Sequence, residues 1–233
     1  MPFKIDSLFN NLHWFLWLLP MYSSNVCIRN LKSDCHSVLD VACGQGRAGR
    51  TLRKLKPHIS FMVGIDLYLP ALKNAKQKRA YDDYIRCDVR YLPIQPKTFD
   101  VTLCLELLEH LPKNEGSALL KSIEQISIKK VVLTTPAVFL SQDAFGGNPW
   151  QEHKSFWSPQ ELEGRNYKVN GFGIRYIFVR NNERVLGVTA LFAFFVSIVF
   201  SPLVYFMPSQ LAYEASACKD LIPLSRKVFK SSI

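Results

Sequence analysis

Residues 38–49 read VLDVACGQGRAG, and a second apolar run, FMVGIDL at 61–67, carries the acid Asp66 near its end. Val38, Leu39 and Val41 suit a strand buried on both faces. Gly44 and Gly46, two apart, supply the backbone freedom of a tight turn and let a ligand lie against bare backbone. From Arg47 to Leu55, apolar or small residues recur at Ala48, Thr51, Leu52 and Leu55, which is helical spacing. A strand, a turn and a helix start in that order leave free amides facing the turn, a place that favours an electron-rich or anionic group. The pattern predicts a nucleotide-like cofactor and leaves open which one.

Gly44, Gly46 and Gly49 spell GxGxxG, and Asp66 falls 20 residues after Gly46, where a dinucleotide-binding protein has its ribose acid. Asp40, four residues before Gly44, argues the other way. A carboxylate facing the cleft repels a pyrophosphate and suits the sulfonium and ammonium of S-adenosylmethionine.

Asp40, Gly44 and Gly46 in VLDVACGQG, Asp66 in VGIDL, Asp88 in CDVRYLP, and FDVTLCLELLEHLP at 99–112 resemble, in order, the successive motifs of class I S-adenosylmethionine-dependent methyltransferases. The resemblance covers residues 36–180 and implies S-adenosylmethionine as cofactor. It places Asp40 near the methionine end, Gly44 and Gly46 along methionine and ribose, and Asp66 on both ribose hydroxyls. It places Asp88 and Val89 beside the adenine, and Leu105 and Glu106 in the wall beneath the methyl donor; Ala42 and Leu67 complete the set of cofactor-binding residues. Ala42 stands where the family usually has glycine; alanine prefers an ordinary backbone conformation, so a slightly altered turn is expected, with binding kept. Plainer roles stand beside these: Asp66 as cap of the helix beginning near Pro70, and Asp88 as the anchor of a loop.

Strands are predicted at 37–41, 61–66, 83–87, 99–105 and 130–135, interleaved with helices at 47–55, 70–80 and 113–127. That rhythm is α/β, a doubly wound, mostly parallel sheet, and with the resemblance a Rossmann-like methyltransferase fold. Such sheets bind ligands at the carboxyl ends of their strands, where Asp40, Asp66, Asp88 and Glu106 are all expected.

The six cysteines (Cys27, Cys35, Cys43, Cys87, Cys104, Cys218) show no CxxC pairing and fall largely within or beside strands. Reduced, buried thiols are expected, and no metal site. Lysine and arginine number 29 against 19 acids, a net charge of +10. Excess of that size suits nucleic acid, anionic lipid or an acidic substrate. Arg50, Arg53, Lys54 and Lys56, and Lys73, Lys76, Lys78 and Arg79, cluster on two helices without interleaved aromatics, which reads as solvated helix faces and not as a nucleic-acid groove.

Between Arg184 and Glu214 lies an uncharged stretch, VLGVTALFAFFVSIVFSPLVYFMPSQLAY. It is long enough for the roughly 20 residues of a bilayer span, but Ser201 and Pro202 divide it, so a hairpin that enters and returns fits as well. Basic residues on both flanks favour the cytoplasmic face of a membrane; a buried core helix or a dimer interface is the alternative. Residues 8–21, LFNNLHWFLWLLPM, read as an interfacial helix or a lid, with no convincing signal-peptide cleavage site. Three units are expected: an amphipathic segment at 1–35, the cofactor-binding domain at 36–180, and an apolar membrane-associating segment with a basic tail at 181–233.

Methyl transfer requires mainly alignment and water exclusion, with a base where the acceptor is a hydroxyl. His110 in LLEHLP and His153 in GGNPWQEHKSFW are the candidate bases. The loop that gathers Asp143, Gly146, Gly147, Asn148, Trp150, His153 and Trp157 is the candidate for acceptor recognition. Packing by the two tryptophans and helix capping by His153 are its structural alternatives. The expected function is a membrane-associated methyltransferase for a lipid, a lipid-linked glycan or another apolar acceptor. A soluble methyltransferase and a non-enzymatic cofactor-binding membrane protein are the competing readings, and the acceptor itself is not legible.

Overall fold

The computed structural model describes residues 31–144, 147–174, 179–180, 183–184, 196 and 199–221. The first part of the chain alternates strand and helix: β1 (Ser37–Val41), α1 (Arg47–Leu55), β2 (Phe61–Ile65), α2 (Leu69–Gln77), β3 (Asp83–Ile85), β4 (Phe99–Leu105), α3 (Lys113–Ile126) and β5 (Ser127–Pro136). Then come α4 (Pro159–Gly164), β6 (Lys168–Ile174), the two-residue strands β7 (Val179–Arg180) and β8 (Glu183–Arg184), the short helices α5 (Ser201–Phe206) and α6 (Pro208–Leu211), and β9 (Ala212–Asp220).

Seven of these strands form one sheet in the order β3-β2-β1-β4-β5-β9-β6. The first five pair in parallel, while β9 runs antiparallel to both β5 and β6, so β6 points the same way as the first five. The alternation of side chains divides the core in two. Val38, Met62, Val101 and Leu103 pack under Leu52, Leu72 and Ala75 of α1 and α2. Leu39, Val41, Val63 and Ile65 share the other cluster with Leu119, Leu120 and Ile123 of α3. Burial on both faces explains why these strands read as continuous apolar runs.

The expected elements in the first 136 residues are present, with shifted ends. The helix expected at 70–80 runs from Leu69 to Gln77, and Arg79 just beyond it takes a left-handed φ of 52°. The strand expected at 130–135 extends over Ser127–Pro136. Four strands, β6 to β9, were not foreseen; two of them, β6 and β9, belong to the main sheet, and β9 falls beyond the part expected to form the cofactor-binding domain. Residues 212–220, assigned to the membrane segment and tail, form β9 inside the sheet. β9 runs reversed between β5 and β6 and pairs with both, and its buried residues there are small, Ala215, Ser216 and Ala217.

The apolar stretch is divided accordingly. Residues 185–195, 197 and 198 lie outside the described residues, as do the amphipathic segment at 8–21 and Cys27. The described part breaks at Pro202 and Pro208 into α5 and α6, with Val204 buried and Tyr205 against Phe172 at 6.1 Å. Among the described residues no helix is long and apolar enough to cross a membrane.

Candidate functional site

The turn after β1 sits at the carboxyl edge of the sheet, tied to β2 by the bond from Cys43 N–H to the Ile65 carbonyl (2.8 Å). Gly44 takes φ 54°, and a Cβ built there meets nothing within 4 Å. It is bare backbone beside a cavity, the cradle a bound cofactor needs. Gly46, at φ 75° and capping the start of α1, is different: a Cβ there would lie 2.3 Å from the Ala80 methyl and 3.0 Å from that of Ala75. The expectation that Gly46 lines the ligand is corrected, since its bareness lets α1 pack on residues 75–80. Ala42 also departs from expectation. The turn does not adjust to suit alanine; Ala42 takes the left-handed φ of 60° that a glycine would take, at a cost of about 1–2 kcal/mol.

Asp66 holds the turn together. Its Oδ2 accepts from Gly44 N–H (2.7 Å) and its Oδ1 from Tyr68 N–H (2.8 Å) at the start of α2. Burial raises its pKa, and the Tyr68 and Gly44 amides act against that rise. It faces the cavity, and its bond to Tyr68 N–H ends one residue before α2 begins, so Asp66 steadies the approach to that helix without capping it. Asp88 likewise does two things: it borders the cavity and accepts from Arg90 N–H (3.0 Å) and its guanidinium (2.6 Å). Hydrogen bonding to Arg90 holds its carboxyl below the usual range.

Asp40 is placed elsewhere than expected. It shares a sheet face with Val38, is 2% exposed, does not line the cavity, and accepts a short hydrogen bond from the Tyr81 hydroxyl. That hydroxyl in turn accepts from Gly49 N–H (3.2 Å). Burial pushes the Asp40 carboxyl up to about 7. Leu105 is corrected for the same geometric reason: it follows Val101 and Leu103 onto that face and packs against their cluster. The wall past β4 is made instead by Glu106, at a left-handed φ of 50°, and Leu107.

These parts enclose a cavity of about 370 Å³. One end is lined by Ala42, Gly44, Asp66, Leu67, Asp88 and Val89, and the other by His110, Leu111, Pro112, Trp150, Gln151 and Lys154. The second end is held by the turn Leu108–His110, whose Glu109 carbonyl accepts from both Lys154 N–H (2.7 Å) and Ser155 N–H (3.0 Å). The loop expected to recognise the acceptor is therefore fastened to the cofactor wall. Its tryptophans separate: Trp150 is half exposed at the cavity, while Trp157 is fully buried, donating to the Leu108 carbonyl (3.2 Å) beneath the Lys113 ammonium (3.8 Å from the ring). Trp157 belongs to the core, and Ser158, not His153, caps α4.

His110 and His153 meet edge to face at 4.9 Å. His110 lines the cavity with its Nδ1 on the Glu152 carbonyl (3.1 Å), and His153 stands beside it with Nδ1 on the Leu140 carbonyl (2.8 Å). Because a carbonyl only accepts, each Nδ1 carries the proton and each Nε2 the lone pair. Burial lowers the pKa of His110, favouring the neutral ring. Glu109, which drew no attention in the sequence, is buried against them with its carboxylate accepting from the Thr135 hydroxyl (3.0 Å). Burial, then Glu106, raise its pKa well above the ordinary value. Ligand atoms of Glu109, His110 and His153 lie within 4.8 Å of one another. The expectation of no metal site rested on cysteine spacing and did not reach this grouping. The Glu109–His110 pair inside LLEHLP was its only trace in the sequence. Among the described residues Cys35, Cys43 and Cys104 are buried, Cys87 and Cys218 are partly buried, none of the five forms a disulfide, and burial pushes Cys35 up to about 11.

The sheet order and the cavity at the carboxyl edge are those of a Rossmann-like α/β domain, which binds its ligand at the ends of its parallel strands. Residues 38–127 match the family model described as a methyltransferase domain. The chain is similar to the ubiquinone biosynthesis O-methyltransferase of Coxiella burnetii, 35% identical over 79 residues, which are 32% of each chain. It is also similar to the malonyl-[acyl-carrier protein] O-methyltransferase of Salmonella typhimurium, 34% identical over 65 residues, covering 28% of this chain and 25% of that one. The matches thus span about a third or less of those relatives' length. Among solved structures, an S-adenosylmethionine-dependent methyltransferase from Archaeoglobus fulgidus shares the fold with a TM-score of 0.54 at 16% identity, over 90% of this chain and 100% of that one.

Proposed function

We propose that the protein transfers a methyl group from S-adenosylmethionine to a hydroxyl of an apolar acceptor presented at a membrane surface. The observation that carries the transferase reading is the single cavity joining Gly44, Asp66 and Asp88 to His110 and Trp150. Bound S-adenosylmethionine supplies a methyl carbon on a cationic sulfur. Asp66 and the Gly44 backbone hold the ribose and methionine, Asp88 and Val89 border the adenine, and Leu107, Leu111 and Pro112 exclude water. Neutral His110 takes the acceptor proton as the oxygen attacks the methyl carbon; the carbon–sulfur bond breaks with its electron pair left on sulfur. Two similar proteins named as O-methyltransferases support oxygen as the acceptor atom.

Support for a membrane surface comes from an exposed apolar ridge, Val199, Phe200, Leu203, Phe206 and Met207, at the end of the long apolar stretch. A second reading, a methyltransferase that needs no membrane, gains from the burial of Val204 and the seating of α5 and α6 on β6. The test supplies methyl-labelled S-adenosylmethionine and purified protein to a membrane fraction. Label is expected in an extracted lipid or lipid-linked product and absent with Asp66→Ala. Label only in the soluble fraction selects the second reading, and label nowhere in the presence of cofactor binding removes both.

A further inference from the structure

We infer that Glu109, His110 and His153 form a site for one first-row divalent cation, which grips the acceptor oxygen at the far end of the cavity. Two imidazoles and a carboxylate are the donor set that Mn²⁺, Fe²⁺ and Zn²⁺ accept while keeping positions open for another oxygen. Three independent features of the fold build this set. The first is proximity: one ligand atom from each residue lies within 4.8 Å of the others, though these residues sit on two separate segments. Metal–ligand bonds of about 2.1 Å need ligand atoms roughly 3–3.5 Å apart, so small rotations about the side-chain bonds close the site.

The second feature is orientation. Both histidines donate Nδ1–H to backbone carbonyls, His110 to Glu152 and His153 to Leu140. That is the outer contact which fixes a metal-binding histidine in the tautomer with its lone pair on Nε2. Glu109 is oriented in the same way by the Thr135 hydroxyl on Oε2. The third feature is charge. The charged groups that act on the buried Glu109 carboxylate include the exposed Glu106 and the half-buried Glu214, both acidic, so a cation beside Glu109 is attracted by all three.

The loop anchors serve this geometry. Lys154 N–H and Ser155 N–H bind the Glu109 carbonyl, which holds His153 beside His110 across a gap of 43 residues in sequence. Since His110 also lines the cavity, a cation held here stands beside an acceptor hydroxyl. It lowers the pKa of that hydroxyl and fixes its direction; with the His110 Nε2 lone pair committed to the cation, the hydroxyl proton passes to solvent water in place of His110.

The acceptor role rests on the transferase reading, but the cation site can be measured without it. Full-length protein stripped with EDTA is titrated with Mn²⁺ and, separately, Zn²⁺ by calorimetry, with Mn²⁺ also followed by electron paramagnetic resonance. One equivalent is expected to bind. His153→Ala and Glu109→Gln are each expected to weaken binding at least tenfold, with nitrogen hyperfine coupling to Mn²⁺ lost in part in His153→Ala. Circular dichroism melts and S-adenosylmethionine titration of each variant establish that it folds. Absence of stoichiometric binding of either metal to the unaltered protein overturns the inference, as does unchanged affinity in folded His153→Ala. If Mn²⁺ binds as expected and S-adenosylmethionine does not, the transferase reading falls and the cation site stands.

Discussion

Gly44 and Gly46 belong to one motif, yet the structure requires them to fail in different assays. In Gly46→Ala two costs add. A left-handed residue with a Cβ costs about 1–2 kcal/mol. The new methyl would stand 2.3 Å from the Ala80 methyl, well inside normal contact. Separating them means moving α1 away from residues 75–80, an overpacking cost of about 1–3 kcal/mol. The sum is about 2–5 kcal/mol, and for a domain of this size a melting temperature lower by about 10 °C. Gly44→Ala carries only the backbone cost, about 1–2 kcal/mol and a few degrees, because its Cβ meets open space. Its methyl enters the cofactor end of the cavity, so S-adenosylmethionine affinity is expected to fall at least tenfold, about 1.4 kcal/mol. Thermal melts and calorimetric titration of both variants, made well below their midpoints, separate the two effects. A Gly46→Ala protein melting within about 2 °C of the parent, or a Gly44→Ala protein with parental cofactor affinity, refutes the assignment of packing to one glycine and binding to the other.

Three further outcomes follow from the same geometry. Ala42→Gly relieves the left-handed strain at φ 60° and stabilises the protein by up to about 1 kcal/mol after the added freedom of the unfolded chain is deducted, readable as a higher urea midpoint with unchanged slope. Asp40 has its carboxyl raised by burial to about 7, above its unfolded value, so its contribution is fully present below about pH 4 and is lost as pH rises through 7. Asp40→Asn should flatten that part of the stability profile between pH 4 and 8, and an unchanged profile in chemical denaturation rejects the shift. Trp157→Leu removes a buried ring and its bond to the Leu108 carbonyl and should cost about 2–4 kcal/mol in a melt, whereas Trp150→Ala should leave the melt within about 2 °C and raise the KM for acceptor.

The elements most legible in the sequence were those whose identity is set locally. VLDV, FMVGI and FDVTLCL are apolar on both faces because helices cover both sides of the sheet, and runs of that kind declare themselves without any knowledge of partners. The strands that escaped notice are of another sort. KVNGFGI carries two glycines and an asparagine, and AYEASACKD is mostly alanine, serine and charge, so neither shows β propensity. They are strands because the slot beside β5 offers each of them a complete hydrogen-bonding neighbour, and that slot exists only in three dimensions. The carboxylates divide in the same way. Asp66, Asp88 and Glu106 follow the ends of their strands, so position along the chain predicts position at the cavity; Asp40 lies within its strand, and the two-residue alternation turns it onto the face of Val38 and Leu103.

That alternation bears on how the cofactor is chosen. Asp40 was the residue that argued for a cationic ligand over a dinucleotide, yet its carboxylate spends its lone pairs on Tyr81 beneath the turn. The carboxylates at the cavity are Asp66, Asp88, Glu106 and Glu115, of which Asp88 and Glu115 pair with Arg90 at 2.6 and 3.6 Å. A dinucleotide would bring two phosphates toward the other two acids of that lining, Asp66 and Glu106, while S-adenosylmethionine brings a sulfonium and an ammonium. The cofactor preference is therefore a property of the edge as a whole, and no single substitution at Asp40 should reverse it. The same acids extend through Glu106 toward Glu109 and the paired histidines, so the field that selects a cationic donor at one end of the cavity favours a divalent cation at the other.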